Sequence, residues 1–385
     1  MRKLASVQRV VNVEPIIGAD KIECITVLGW KLVAKIGEFK VGDLCVYIEI
    51  DSLLPKDIDA FAFMEKYKYR VKTISFLDQV SQGLALPFSA FSDNPLLAPI
   101  GFCKEGTDVT KQLGVVKYEK EEDISEEINT LSWYKPLMKY AWARRIILPF
   151  ISKKPSGNFP KHIIAESDET RIQCIPKIFV EHVNSFFTET EKIDGASGSF
   201  CLEKKGKFFK KYEFSVSSRT IKRVHRDRSD WWKIAENYNI EKTLNKLMKE
   251  YPAKSWAIQG EIIGDKIQGN IYQVSGLDFY VFRLKKNCVD GTSVFFSPED
   301  GSRILSLYGL KWVPIIGKIR LGDYTTETIL KHVDGKSVLA DTIREGSVFV
   351  LDSNPGVSFK AVSNTYLLKK EKKEKKNLAL VQRKN

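Results

Sequence analysis

The chain has 385 residues, of which 43% are apolar and 28% are charged. Disordered chains lack this much apolar surface, so the composition excludes a largely disordered protein and leaves room for two domains. A net charge of +13 at pH 7 favours an anionic partner such as nucleic acid or a nucleotide.

The sequence has neither an apolar run of about 18 residues nor a hydrophobic signal region after Met1. We therefore expect no membrane-spanning segment, no signal peptide and no membrane partner, and place the protein inside the cell, in the cytoplasm. Six cysteines are scattered singly along the chain, which predicts free thiols and not a zinc site.

Residues 1–118 predict a small β-barrel. Segments 31–36, 44–50, 69–74 and 83–86 read as short strands between glycine turns, and apolar residues alternate with others most clearly over 44–50. A period of two is typical of half-buried antiparallel strands, and short strands in series favour an OB-like barrel that binds nucleic acid.

Residues 119–157 predict a charged and aromatic linker. Within it, 129–150 combines tryptophan and tyrosine with lysine and arginine. This pattern is compatible with an arm that faces nucleic acid, or with a linker helix, interrupted near Pro136, that packs its aromatic residues on a domain.

Residues 158–368 predict a second domain that mixes strands and helices. Helical spacing runs from Trp232 to Tyr251 and stops at Pro252, and strands are predicted at 256–262, 278–284, 347–351 and 357–362. The predicted fold class is therefore α+β. Residues 369–385 contain eight basic and two acidic residues, and we expect this basic tail to be mobile.

The most informative segment is Thr190-Glu191-Lys192-Ile193-Asp194-Gly195. In an extended chain Lys192 and Asp194 point to the same side, so an amine stands beside a carboxylate. A protonated lysine is a poor nucleophile and needs burial, a neighbouring cation or a metal ion to lose its proton. A surface Lys–Asp pair before a glycine turn gives the same pattern, so this segment alone does not indicate catalysis.

Further motifs follow in order along the second domain. They are Ser217-Ser218-Arg219, Gln259-Gly260-Glu261, Phe279-Tyr280-Val281-Phe282, Arg344-Glu345-Gly346-Ser347-Val348 and Phe359-Lys360-Ala361-Val362. With the lysine segment, this series resembles the six collinear motifs of the covalent nucleotidyltransferases, which include DNA ligases, RNA ligases and mRNA capping enzymes. Segment 167–173 and the N-terminal barrel resemble in particular ATP-dependent RNA ligases of the Deinococcus and Naegleria type.

The resemblance implies a fold and a set of roles. An OB domain would precede an adenylyltransferase domain of ATP-grasp-like antiparallel sheets with helices. Lys192 would attack the α-phosphate of ATP beside a divalent ion, Mg²⁺ or Mn²⁺. The residues implied to hold that ion are Asp194, Glu261 and Glu345.

Other matching residues are implied to bind the nucleotide. Phe282 would stack on adenine, and Glu191 would accept from its exocyclic amine, which favours ATP over GTP. The remaining implied nucleotide contacts are Gly195, Ser197, Arg171, Arg219 and Lys360. The chain departs from the usual motifs at Val362, Ser197 and Arg283, where many family members have lysine, arginine or asparagine, and an acid.

The implied function is the ATP-dependent joining of a 3′-hydroxyl RNA end to a 5′-phosphate end, at nicks in an RNA or RNA/DNA duplex, by a monomer. Two alternatives stay open at this point. The enzyme could be a capping-type guanylyltransferase or a DNA ligase, which the labelling nucleotide and the required 3′ sugar distinguish. The chain could also be an OB-containing RNA-binding protein with an inactive transferase shell, although the intact lysine and carboxylates argue against it.

Overall fold

The computed structural model describes residues 3–95, 97–118, 157–206, 211–225 and 229–382, with side chains as far as residue 374. Contacts divide the described chain into two compact units. Residues 3–118, 173–176 and 367–382 belong to the first unit, and residues 157–172 and 177–366 belong to the second. The predicted linker lies outside the described residues up to residue 156, so both interpretations of 129–150 stay predictions.

The first unit is built from short antiparallel strands. Their bounds are β1 (Ala5–Pro15), β2 (Ile22–Val27), β3 (Trp30–Lys35), β4 (Leu44–Ile48), β5 (Ser52–Leu53), β6 (Thr73–Phe76), β7 (Gln79–Gln82), β8 (Leu84–Leu86) and β9 (Val116–Lys117). One sheet has the order β3-β2-β1-β4-β8, while β5 pairs with β9 and β6 with β7.

Strand β1 gives this sheet its curvature. Its first half pairs with β4 and its second half with β2, and the β1–β2 register shifts between Val10 and Asn12. Such an irregularity bends a strand, so β1 can serve both halves of a curved sheet, as the predicted barrel requires. Aromatic side chains fill the interior, where Trp30, Tyr47 and Phe61 are almost fully buried. The 3₁₀ helices of this unit are Asp59–Tyr67, Phe88–Phe91 and Ala98–Phe102.

The second unit combines two sheets with helices. Its strands are β10 (Gly157–Asn158), β11 (Phe186–Lys192), β12 (Ala196–Lys205), β13 (Lys211–Ser217), β14 (Ile221–Lys222), β15 (Ser255–Gly264), β16 (Leu277–Asn287), β17 (Ser293–Phe295), β18 (Lys311–Trp312), β19 (Ile315–Arg320), β20 (Gly346–Leu351) and β21 (Ser358–Val362). Its helices are α1 (Ile178–Glu181), α2 (Asp230–Asn237), α3 (Ile240–Glu250), α4 (Pro298–Ser306), α5 (Thr326–His332) and the start of α6 (Asn364–Gln382).

The larger sheet has the order β10-β14-β13-β12-β15-β16-β17, with β18 parallel beside β16, and the smaller sheet has the order β19-β11-β20-β21. Helix α3 packs Ile240, Leu244 and Leu247 into the same core as residues of β12, β15 and β16. This spacing of four and three residues is that of one helix face. The predicted strands at 256–262, 278–284, 347–351 and 357–362 are confirmed as β15, β16, β20 and β21.

The predicted helical stretch 232–251 divides into α2 and α3. Asn239 lies between them with φ of 50°, in the left-handed region that asparagine tolerates better than most residues. A local backbone conformation, and not the apolar spacing, therefore ends the first helix.

The basic tail differs from the expectation. Residues through Gln382 are helical in α6, whereas the sequence predicted a mobile tail from residue 369. Glu371 and Glu374 are three residues apart and so share a helix face. Arg70 lies 3.4 Å from Glu371 and 2.9 Å from Glu374, and Lys72 lies 3.0 Å from Glu371. The two acidic residues among the lysines thus hold the part of α6 that belongs to the first unit.

In the part of the chain that the structure describes, no helix has the length and apolar content needed to cross a membrane.

Candidate active site

A cleft in the second unit is lined by residues from both of its sheets. The residues that the sequence singled out and that line this cleft are Glu191, Lys192, Arg219, Glu261, Phe282 and Lys360. Three of the others adjoin it: Glu345 contacts Lys192, Gly195 approaches Glu261, and Arg171 pairs with Lys360 along the backbone. Motifs more than 160 residues apart in sequence therefore meet at one place.

Strand β11 carries Lys192 to the cleft. Four polar residues precede the lysine, from Thr188 to Glu191, and all four are buried. Each has a partner from another element: Thr188 donates to Asp352, and Thr190 donates to the backbone oxygen of Val348. A buried polar side chain without its partner is costly, so these pairings fix the strand register and with it the place of Lys192.

Lys192 is held by Glu345. Its Nζ donates to Oε2 of Glu345 over 2.7 Å. The pairing of β11 with β20 explains this contact, because Lys192 lies opposite Gly346, the residue after Glu345. Gly346 has φ of 151°, and a Cβ there would lie 2.2 Å from the backbone oxygen of Ala361, so only glycine fits.

Charge around Lys192 keeps the amine protonated. Burial works to lower the pKa of Lys192. The negative charge of Glu345, followed by those of Glu261 and Asp194, outweighs burial and raises that pKa above its usual value. With these carboxylates around it, Lys192 is therefore an ammonium group and a poor nucleophile.

Glu261 is placed by β15, where it lies opposite Ser197 on β12. Burial raises the pKa of Glu261 to about 7. The positive charges of Lys192 and Arg219 oppose this shift. The negative charges of Glu345 and Asp194 add to it.

Asp194 is held by two tyrosines that the sequence did not single out. The hydroxyl of Tyr366 donates to Oδ2 of Asp194, and the Asp194 N–H donates to the hydroxyl of Tyr272 over 2.8 Å. Next to it, a Cβ on Gly195 would lie 2.3 Å from the backbone oxygen of Ile262. Close packing against β15 therefore requires glycine at position 195.

Lys360 lies on β21 beside segment 167–171. Its Nζ donates to Oδ1 of Asp168 over 2.7 Å, and its backbone N–H donates to Thr170 over 2.9 Å. Burial lowers the pKa of Lys360 to about 8 even though Asp168 opposes the shift. The positive charges of Arg171 and Lys192 add to this lowering, so Lys360 belongs to the same electrostatic site.

Arg283 stands where an acid is common in the family, and Glu169 balances its charge. Arg283 donates to Glu169 and, over 3.1 Å, to Oε1 of Gln259. Glu169 also accepts from the hydroxyl of Ser358 over 2.6 Å. Segment 167–173 therefore supplies the carboxylate that neutralises Arg283.

Two predicted nucleotide contacts have protein partners in the structure. The carboxylate of Glu191 accepts from the Ser337 hydroxyl over 2.5 Å and from the Val338 N–H over 2.8 Å. The hydroxyl of Ser197 bonds to that of Ser167, a residue of the cleft wall. Their contacts with a nucleotide stay predictions.

The carboxylates fit a hard divalent cation. Among the described residues, no three Asp, Glu, His or Cys side chains are close enough to hold a metal ion by themselves. Mg²⁺ commonly binds through one or two carboxylates together with water and substrate phosphates, so a complete protein cage is not needed. The donor set of Asp194, Glu261 and Glu345 consists of oxygens alone, which suits Mg²⁺ or Mn²⁺.

Comparisons with known proteins agree with this geometry. An OB-fold domain model matches residues 4–88, and an RNA ligase model matches residues 185–362. The Naegleria gruberi RNA ligase solved with pyrophosphate is 30% identical, with a TM-score of 0.77 over 96% of this chain and 99% of that chain. A search of curated proteins gives no match.

Two variants of that ligase have been solved with nucleotides. A glutamate-to-alanine variant with ATP and Mn is 31% identical, with a TM-score of 0.77 over 96% of this chain and 99% of that chain. Another, with AMP and Mn, is 29% identical, with a TM-score of 0.75 over the same shares. The N-terminal OB-fold domain and the α+β ligase domain that the sequence predicted are thereby confirmed. The chain belongs to the RNA ligase family.

Proposed function

We propose that this protein is an ATP-dependent RNA ligase that joins a 3′-hydroxyl RNA end to a 5′-phosphate end at nicks in duplexes, as a monomer. The observation that carries the proposal is Lys192 Nζ at the cleft wall, 2.7 Å from Glu345 and within the field of Glu261 and Asp194. The Naegleria ligase structures with ATP, AMP and pyrophosphate support it, since ATP and pyrophosphate are the substrate and product of lysine adenylylation and AMP is the product of the final joining step.

In the first step, Lys192 Nζ attacks the α-phosphate of ATP. The new N–P bond forms as the bond to the pyrophosphate oxygen breaks, and Nζ must first give up a proton. Oε2 of Glu345 already accepts that N–H, so it is placed to hold the proton as it leaves. Position and charge supply most of the catalysis in such displacements.

Cationic residues receive the phosphates. Lys360 and Arg219 both line the cleft. Lys360 acts as a point charge, whereas the planar guanidinium of Arg219 can bind two oxygens of one phosphate. Asp168 accepts from Lys360 Nζ, so a phosphate that binds Lys360 would exchange with that carboxylate.

Asp194, Glu261 and Glu345 would hold Mg²⁺ or Mn²⁺. When bound, the ion supplies positive charge that favours the neutral amine and offsets the negative charge of the α-phosphate. Burial raises the pKa of Glu261 to about 7, and the positive charge of a bound ion would favour its ionised form. Phe282, half-buried in the cleft wall, would stack on adenine, and Glu191 would accept a hydrogen bond from the exocyclic amine of adenine.

The later steps use the same cleft. AMP passes from Lys192 to the 5′-phosphate, and the 3′-hydroxyl then attacks the adenylylated end and releases AMP. The OB-fold domain would hold the nucleic acid through its backbone and A-form shape and not through base sequence.

A nick-sealing assay tests this function. Purified protein with ATP and Mn²⁺ should join a nicked duplex with RNA at the 3′-hydroxyl side faster than the same duplex with DNA there. Lys192→Ala should not start the reaction from ATP but should still join a substrate that already carries AMP at its 5′ end. Sealing that requires DNA at the 3′ end would instead indicate a DNA ligase, and a requirement for GTP would indicate a capping enzyme.

A further inference from the structure

The start of α6 and the residue before it contact two of the three candidate metal-binding residues, one through its carboxylate and one through its backbone. Tyr366 donates its hydroxyl to Oδ2 of Asp194, and the N–H of Ser363 donates to the backbone oxygen of Glu345 over 2.9 Å. Ser363 also accepts from the N–H of Tyr366 over 2.9 Å, which links the two contacts. Both residues are buried. They follow Val362, the last residue matched by the RNA ligase model.

The Tyr366 hydroxyl holds the Asp194 carboxylate in one orientation. An ionised carboxylate can only accept, so the phenol must donate, and its O–H fixes the position of one oxygen of Asp194. Asp194 also has its backbone N–H bound to Tyr272, so main chain and side chain are both held. Removal of a group that orients a metal ligand in this way commonly weakens metal binding by about 10- to 100-fold.

We propose that Tyr366 is a positioning residue that sets the orientation in which Asp194 meets the divalent ion. This inference rests on the proposed function, because it requires a divalent ion beside Lys192. Tyr366 touches neither ATP nor RNA in this role and acts only through Asp194.

Another tyrosine offers a matched control. The hydroxyl of Tyr238 donates to Oδ1 of Asp278, the same chemical pair outside the cleft. Lys311 also donates to both carboxylate oxygens of Asp278, over 3.0 and 2.8 Å. The contacts of Asp278 with Tyr238 and Lys311 thus hold strand β16 in place. Tyr238→Phe therefore removes a comparable hydroxyl without touching a candidate metal ligand.

The test measures the binding of Mn²⁺ to the full chain in the presence of α,β-methylene ATP. Binding is monitored by the decrease in the electron paramagnetic resonance signal of free Mn²⁺. Tyr366→Phe should raise the Mn²⁺ dissociation constant by about tenfold, and Tyr238→Phe by less than about twofold. Thermal unfolding of both variants shows how much stability each hydroxyl contributes.

A coupling measurement keeps the inference testable if Tyr366→Phe is destabilised. In an Asp194→Asn background, Tyr366→Phe should cause no further loss of Mn²⁺ affinity, because the two residues act as one. Unchanged Mn²⁺ affinity in Tyr366→Phe, equal losses in both tyrosine variants, or additive losses with Asp194→Asn would each overturn the positioning role. A wild-type chain that binds ATP analogue but no Mn²⁺ would overturn the proposed metal site, and this inference with it.

Discussion

Replacing Glu189 by alanine should destabilise the second unit and misplace the nucleophile. Glu189 is 1% exposed in the middle of β11. Its carboxylate accepts from His332 Nε2 over 2.7 Å and from the Ser347 hydroxyl over 2.5 Å, and it lies 3.7 Å from Nη2 of Arg344. Removal of the carboxylate leaves a buried arginine and a buried hydroxyl without this partner.

The magnitude follows from that burial. Removing one partner of a buried ion pair costs about 3–5 kcal/mol, and a unit of this size loses about 2–4 °C of Tm per kcal/mol. Glu189→Ala should therefore lower the Tm by about 6–20 °C. Glu189→Gln keeps an acceptor for Ser347 and loses only the charge, so its loss should be smaller.

The control is Glu327→Ala. Glu327 pairs with Lys331 over 3.4 Å on the surface of α5, with side-chain exposures of 61% and 74%. An exposed pair contributes at most about 1 kcal/mol, so this variant should unfold within a few degrees of the wild type. The assay is thermal unfolding of the full chain, monitored by circular dichroism.

Catalysis should fall together with stability in Glu189→Ala. Arg344 and Ser347 flank Glu345, the residue that holds Lys192. A displacement near 1 Å at a reacting group costs about 100-fold, so adenylylation below the new Tm should slow by about 10- to 100-fold. A Glu189→Ala protein that unfolds and reacts like the Glu327→Ala protein would refute the claim that buried polar pairing sets the register of β11.

Two further predictions concern the cleft. Gly195→Ala places a Cβ 2.3 Å from the backbone oxygen of Ile262 and should abolish adenylylation of Lys192, whereas Gly317→Ala on β19, with open space around it, should react normally in the same labelling assay. Glu261 has a pKa raised from its usual 4.5 to about 7, so the folded state binds more protons between these values and loses stability as the pH rises through them. Glu261→Gln should remove this loss, so that urea unfolding finds it more stable than the wild type above pH 7 and equal to it below pH 4.5; parallel pH profiles of the two proteins would contradict the shift.

Local patterns of residue type along the sequence predicted most of the strands. Alternation within 44–50 predicted β4, and the strand predicted at 256–262 is β15, because burial of one or both faces leaves a direct trace in residue type. The break at Asn239 was not predicted, since a single left-handed residue does not disturb the apolar spacing on either side. The helix over the basic tail was missed because its support comes from Arg70 and Lys72, far away in the chain.

Part of the candidate site was likewise predicted from the sequence, and part was not. The order of motifs pointed to Lys192 and its carboxylates, and the structure brings Lys192 to Glu345. The contacts of Asp194 with Tyr366 and of Lys360 with Asp168 join residues 172 and 192 positions apart. Tyr366 lies in none of the motifs, and segment 167–173 does not indicate which residue Asp168 contacts, so only the fold could reveal these contacts.

The most direct test is to locate the covalent nucleotide. Protein incubated with α-labelled ATP and Mn²⁺ is denatured, digested and analysed by mass spectrometry, with α-labelled GTP in parallel. The account predicts an acid-labile AMP on Lys192 from ATP alone, and no labelled peptide from Lys192→Ala. Label on another residue, label from GTP, or label that persists in Lys192→Ala would contradict it.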